Sequence, residues 1–166
     1  DGNFLLEVLS RKLTTLTKKF KYNKYEFERN SIVVVGSIYG IEILEDNAQC
    51  TRNKLCKTFF SVYREHFKEN ISKKLIHSIE FIINKNIILG DAATFKRKNS
   101  DKPITFCEWS LIKQKLKRRD FTLIDVLANA PVNKNDSFSD TGEPVIIPQP
   151  IKEYSLVNFY EAYKAC

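Results

Sequence analysis

Between Phe95 and Arg119 the chain sets nine Lys or Arg beside only two acids, Asp101 and Glu108. Cation density of this kind suits an anionic partner, because each Lys or Arg that neutralises a phosphate releases condensed counterions. Lys113, Lys117, Arg118 and Arg119 are expected to project from a helix over 106–119, with Lys96, Arg97 and Lys98 just before it. Cations near a helix C-terminus complement its dipole by ~0.3–1 kcal/mol each. Five of them in the seven residues 113–119 exceed that local need and repel one another. Phe106 and Trp109 lie in the same stretch and could stack on bases. Burial in a core or an interface is the expected fate of both rings.

Groups for nucleophilic or metal chemistry are sparse. The cysteines are Cys50, Cys56, Cys107 and Cys166, and the histidines are His66 and His77. One C-x5-C pair without a second, and without histidine at ligand spacing, is not a zinc pattern. A Cys56–His77 pair would supply a nucleophile and a base if folding brought them together. There is no H-E-x-x-H, no G-x-S-x-G and no phosphate-cradling glycine loop. The expectation is therefore a non-enzymatic protein with no cofactor. Disulfides Cys50–Cys56 and Cys107–Cys166 would fit a secreted protein, as would glycosylation at Asn70-Ile-Ser72 and Asn135-Asp-Ser137. Reduced, partly buried thiols in an intracellular protein are the leading expectation.

The surrounding chain has the composition of a folded domain. Its 166 residues are 43% hydrophobic and carry a net charge of +7. Such a chain can bury roughly 68–70% of its unfolded surface without staples. The charge is uneven, with 94–119 carrying nine cations and two acids while 120–166 carries three cations and seven acids. No apolar run approaches the ~20 residues a bilayer requires. A start at Asp1 and the lack of Met suggest one domain excised from a longer chain.

Periodicity places the elements. Phe4, Leu5, Val8, Leu9, Leu13, Leu16 and Phe20 predict an amphipathic helix over 3–21, capped by Asp1 or Asn3. Residues 31–36 and 38–44 are β-branched and aromatic and predict strands broken near Gly36, with a helix as the rival reading. A helix over 48–68 follows a cap at Asp46-Asn47, and Ser72 caps a second over 72–86. Ile87 to Leu89, a turn at Gly90-Asp91 and Ala92 to Arg97 predict a hairpin. Thr105-Phe-Cys-Glu108 and Thr122-Leu-Ile-Asp125 both have the form of capping boxes, the second opening a helix to Ala130. Residues 130–150 hold four of the five prolines and read as a polar loop, and 152–166 as a C-terminal helix.

The order helix 48–68, helix 72–86, strand, turn, strand resembles the second half of a winged-helix domain. That resemblance implies a reading helix at 72–86 and a wing at 90–91, with Lys73, Lys74 and Lys85 beside the helix and Lys96, Arg97 and Lys98 after the wing. The fold class is α+β, predominantly helical, with a small antiparallel sheet. The function expected is a nucleic-acid-associated module of a larger intracellular, nuclear assembly, with no membrane partner. Phosphates would be held by Lys73, Lys74, Lys85, Lys96, Arg97, Lys98, Lys113, Lys117, Arg118 and Arg119. The alternatives are an assembly domain whose basic surface docks an acidic protein segment, and a secreted or viral disulfide-bonded binding protein.

Overall fold

The first helix forms because its apolar residues return every three or four positions; Leu9, Leu13 and Leu16 are buried along that line. In the computed structural model, which describes residues 2–127 and 149–166, it runs over Asn3–Lys19 as α1. Gly2 at φ 65 takes the cap position, so Asn3 lies inside the helix. The helical rival prevails over the expected strand at 31–36: α2 spans Lys24–Gly36. Asn23 accepts a hydrogen bond from the Glu26 amide, and Phe27, Ser31, Ile32 and Val35 return at helical spacing to a buried face. Packing overrides the β-propensity of Ile32 to Val35. Only Gly40–Glu42 remains extended, as β1.

The long helix α3 covers Glu45–Phe67 and buries Ala48, Thr51, Leu55, Phe59 and Tyr63. It starts ahead of the expected Asp46-Asn47 cap, from Leu44, with no side-chain cap bond. Helix α4 covers Lys73–Asn86, and Ser72 caps it as expected by accepting from the Leu75 amide at 3.3 Å. Strand β2, Ile87–Asp91, runs straight on from it. The chain turns at 92–95 rather than at Gly90-Asp91, then returns as β3, Lys96–Arg97. Gly90 lies within the strand, opposite Arg97, where a Cβ would meet Ile104 and the Lys96 carbonyl at 2.9 Å.

The stretch expected to be the helix 106–119 is a β-hairpin. Strands β4, Thr105–Ile112, and β5, Lys115–Thr122, pair antiparallel from Thr105↔Thr122 to Ile112↔Lys115, around a two-residue loop in which Lys113 has φ 56. Side chains alternate across a strand, so Cys107 and Trp109 on one strand and Leu116, Arg118 and Asp120 on the other share the buried face. The second box works as read: Thr122 Oγ1 accepts from the Asp125 amide at 3.1 Å and opens α5, Leu123–Leu127. The proposed end of that helix at Ala130 and nearly all of the 130–150 loop lie outside the described residues. In place of the C-terminal helix there are two short strands, β6 (Lys152–Glu153) and β7 (Val157–Asn158), and a 3-10 helix over Phe159–Lys164.

The architecture is α+β, with 54% of the described residues helical. Among the described residues there are two small sheets rather than one. β1 pairs in parallel with β2, which pairs antiparallel with β3. β5 is flanked by β4 on one side and by β6 and β7 on the other. One core joins α1 to α4, the inner face of the hairpin and Phe159, Ala162 and Ala165 of the 3-10 segment. A smaller cluster of Ile88, Ile104 and Leu123 lies with Ile41 and Phe106. The winged-helix-like unit is not confirmed. β1 is joined to β2 in parallel across both helices, and α4 is packed on by α2, α3, β4 and the 3-10 helix.

Gly36 lets α2 meet the hairpin. A Cβ there would stand 2.8 Å from the Cβ of Trp109. The Gly36 carbonyl also accepts from Asn86 Nδ2 at 2.8 Å, and Asn86 Oδ1 accepts from the Cys107 amide at 3.3 Å. Gly36→Ala is expected to lower stability by ~1–3 kcal/mol through overpacking. Chemical denaturation checks this; an unchanged midpoint would show that Trp109 moves aside freely.

Candidate anion-binding surface

Three of the four cations of β5, Lys117, Arg118 and Arg119, are consumed by pairing. Arg118, only 4% exposed, lies on the buried face of the strand. Its guanidinium donates twice to Asp120, from Nε to Oδ1 and from Nη2 to Oδ2, both at 2.8 Å, and Nη1 donates to the Ala165 carbonyl at 2.6 Å. The Tyr154 ring stacks on it with its centroid 4.1 Å away, and Tyr154 Oη donates to Asp120 at 2.9 Å. Arg118 cannot reach a phosphate without unmaking this cluster. On the outer face Lys117 pairs with Glu153 at 2.8 Å, and Arg119 lies between Glu108 at 3.3 Å and Glu153 at 3.5 Å. Lys117 chiefly, with Arg119, holds the Glu153 carboxyl below its usual range. The excess predicted for 113–119 shrinks to Lys113 and Lys115, exposed at the hairpin end.

The other expected cations are scattered. Lys73 is exposed, whereas Lys74 pairs with Glu161 at 2.9 Å. Lys85 is half-buried with Nζ 5.2 Å above the Phe81 ring. Lys96 pairs with Asp101 at 2.9 Å, and Lys98 Nζ donates to the Ile43 carbonyl at 2.9 Å. Arg97 and Lys102 are exposed and make no ion pair among the described residues. The arm 96–102 thus carries four cations against one acid, Asp101.

A further basic row went unread in the sequence. Lys54, Lys57, Ser61, Arg64 and Lys68 are all exposed along α3 and its C-terminal cap. Steps of three and four residues put Lys54, Lys57, Ser61 and Arg64 on one face, opposite the buried Leu55, Phe59 and Tyr63, and Lys68 follows at the left-handed C-cap. The spacing is legible in the sequence for any helix over 48–68.

The nucleophile reading gains no geometry. His77 packs edge-on against Tyr163, while Cys56 lines a groove between α3 and α4 with Glu80 and Asn84. Burial, and secondarily Glu80, push the Cys56 thiol up to about 11. A catalytic thiol needs the opposite shift. Cys107, buried under the hairpin, is pushed up to about 12, again chiefly by burial. All four cysteines are free. Cys50 and Cys56 lie six residues apart on one helix, about 9 Å along its axis, too far for a disulfide.

A cleft of about 610 Å³ opens between α2, the start of α4 and the 3-10 helix, with Lys24, Tyr25, Glu28 and Tyr160 on its walls. The Glu28 carboxylate at its base already accepts from Tyr63 Oη and Tyr160 Oη, and Lys24 is paired with Glu69. Among the described residues no group of three or more His, Cys, Asp or Glu could hold a metal ion, and no helix is long and apolar enough to cross a membrane. Trp109 is buried as expected, and Phe106 packs edge-on against Tyr39 with centroids 5.2 Å apart. No protein-family model, curated protein or solved structure matches the chain.

Proposed function

We propose that this domain is a non-catalytic module that associates with nucleic acid, within a larger nuclear assembly, through phosphate contacts rather than base readout. The observation that carries the reading is the arm 96–102, where Arg97, Lys98 and Lys102 stand exposed beside a single ion pair, Lys96–Asp101. Packing by α2, α3, β4 and the 3-10 helix leaves α4 only a narrow exposed strip at Lys73, Lys74, His77 and Asn84, which argues against a helix laid deep in a major groove. A labelled duplex and a labelled single strand are expected to bind at low salt and to be released steeply as salt rises. Arg97→Glu with Lys102→Glu is expected to weaken binding at least about tenfold, uniformly across sequences. Absence of binding to either probe at low salt would refute the reading.

Docking of an acidic protein segment has support of its own. Ile43 and Leu44 are 57% and 54% exposed next to the carbonyl that Lys98 holds, a mixed apolar and basic surface. Binding of an acidic, leucine-containing peptide that survives moderate salt, with no nucleic-acid binding, would favour this second reading.

A further inference from the structure

We infer that the outward face of α3 is a phosphate-tracking surface, the ridge along which a nucleic-acid backbone lies. The inference rests on the nucleic-acid reading above but concerns a different element from the arm. α3 is 23 residues long, and Lys54 to Arg64 covers about 15 Å of its axis at 1.5 Å per residue, with Lys68 just beyond at the cap. Lys54, Lys57, Arg64 and Lys68 lie along that length without an ion pair or side-chain hydrogen bond among the described residues. Glu65 lies to one side of the row and Glu80 across the α3–α4 groove, neither within ion-pair distance of it.

Helix stability does not account for the row. Arg64 sits in the last turn and Lys68 at the C-cap, where the dipole welcomes cations. Lys54 and Lys57 are in the middle of the helix, outside the dipole's reach, and like charges three residues apart repel. Neutralisation by a polyanion would relieve that repulsion and release counterions.

The face also discriminates between polyanions. Asn53 beside Lys54 and Ser61 within the row are short polar side chains able to donate to phosphate oxygens, and Glu65 is the one exposed acid between Lys54 and Lys68. The nearest large apolar side chain, Phe60, is half-buried. A helix lying on a bilayer presents large apolar groups for insertion, and a docked peptide anchors through buried apolar or aromatic contacts. This face offers neither.

The test compares two triple variants with equal loss of charge in the full chain. Lys54→Gln, Lys57→Gln and Arg64→Gln remove the row with little change in helix propensity. Lys18→Gln, Lys21→Gln and Lys164→Gln remove three exposed cations elsewhere. Both are checked for native circular dichroism, then titrated with a fluorescent 20-base-pair duplex from low to moderate salt. The α3 variant is expected to bind at least tenfold more weakly at low salt, with a log–log salt slope shallower by about 3, near one for each lost contact. The other variant is expected to stay within about twofold of the unaltered protein. Equal losses in both variants, or no loss in the α3 variant while the unaltered protein binds, overturn the α3 inference and leave the nucleic-acid reading intact. If the unaltered protein binds no duplex, the α3 inference fails, and the nucleic-acid reading fails with it only when the single strand is unbound as well. Binding to anionic vesicles alone would likewise overturn the inference.

Discussion

Arg118→Ala is expected to destabilise the fold by ~3–5 kcal/mol, the range for breaking a buried ion pair from one side. Removing the guanidinium strands Asp120, which is 7% exposed, and orphans the Ala165 carbonyl. It also removes the cation beneath the Tyr154 ring. At this chain length each kcal/mol shifts the thermal midpoint by about 2–4 °C, so a fall of roughly 10 °C is expected. Arg118→Lys should rescue little, because an ammonium cannot make the paired contacts to both Asp120 oxygens. Arg118→Ala with Asp120→Ala should cost less than the sum of the single changes, since neither then leaves an unpaired charge. The damage should also be local. The Tyr154 amide donates to the Arg118 carbonyl at 3.1 Å and the Ile151 amide to the Asp120 carbonyl at 2.8 Å, so the same short run of β5 fastens the C-terminal segment by main chain and side chain. Limited proteolysis should cut beyond Ile151 in the variant under conditions that leave the unaltered protein intact. Wild-type resistance and midpoint would refute the assignment of Arg118 to structure and reopen its availability to a partner.

Glu28→Ala is expected to have the next largest effect, about 2–4 kcal/mol, from two stranded hydroxyl donors and a cavity. Glu28 is 5% exposed and ties α2 to Tyr63 of α3 and Tyr160 of the 3-10 helix. Burial first, and then hydrogen bonding to Glu28, raises both phenols above the ordinary tyrosine range. Tyr39 is pushed up to about 12 by burial, with Glu108 and Cys107 adding to it. A raised tyrosine pKa means that the folded state keeps protons the unfolded chain gives up. The stability these groups supply is complete below the ordinary value near 10 and is lost as pH climbs toward the folded values, beginning for Tyr39 between 10.0 and about 12. Denaturant midpoints should therefore fall from about pH 10 upward, while phenolate absorbance in the folded protein lags behind its seven-tyrosine total. Glu28→Gln should flatten that fall by removing the charge beside Tyr63 and Tyr160. A midpoint independent of pH between 9 and about 12 would contradict the burial of these hydroxyls.

Much of the helical half was legible because its signals agree with one another. Leu9, Leu13 and Leu16 of α1, and Leu75, Ile79 and Ile82 of α4 under the Ser72 cap, combine apolar spacing with local chemistry. The hairpin was not legible because Thr105 and Glu108 mimic a capping box while Leu111, Ile112 and Leu116 fit helical spacing. The competing signal was period two: Cys107, Trp109 and Leu111 on one strand, Leu116, Arg118 and Asp120 on the other. The candidate site changed with that one choice of period. In a helix, residues two apart point away from each other, so Arg118 and Asp120 look like two solvated charges. In a strand they share a face, and the same two residues become a buried bidentate pair. Residue type revealed the charges but not whether Asp120 and Glu153 would reach them, since Glu153 arrives from a strand more than thirty residues later. The α3 row was readable from spacing alone; its freedom from acidic partners required the fold.

The burial of Phe159, Ala162 and Ala165 in the main core bears on the order of synthesis. Helices α1 to α4 and the hairpin can leave the ribosome and still lack one wall of their shared interior. The acceptor for Arg118 Nη1 is the Ala165 carbonyl, so that charge has no complete setting until the final described residues emerge. Completion of this core therefore waits on the 3-10 segment over Phe159–Lys164. A nascent chain halted before Phe159 should remain open to proteases and chaperones, however much of its helix has already formed.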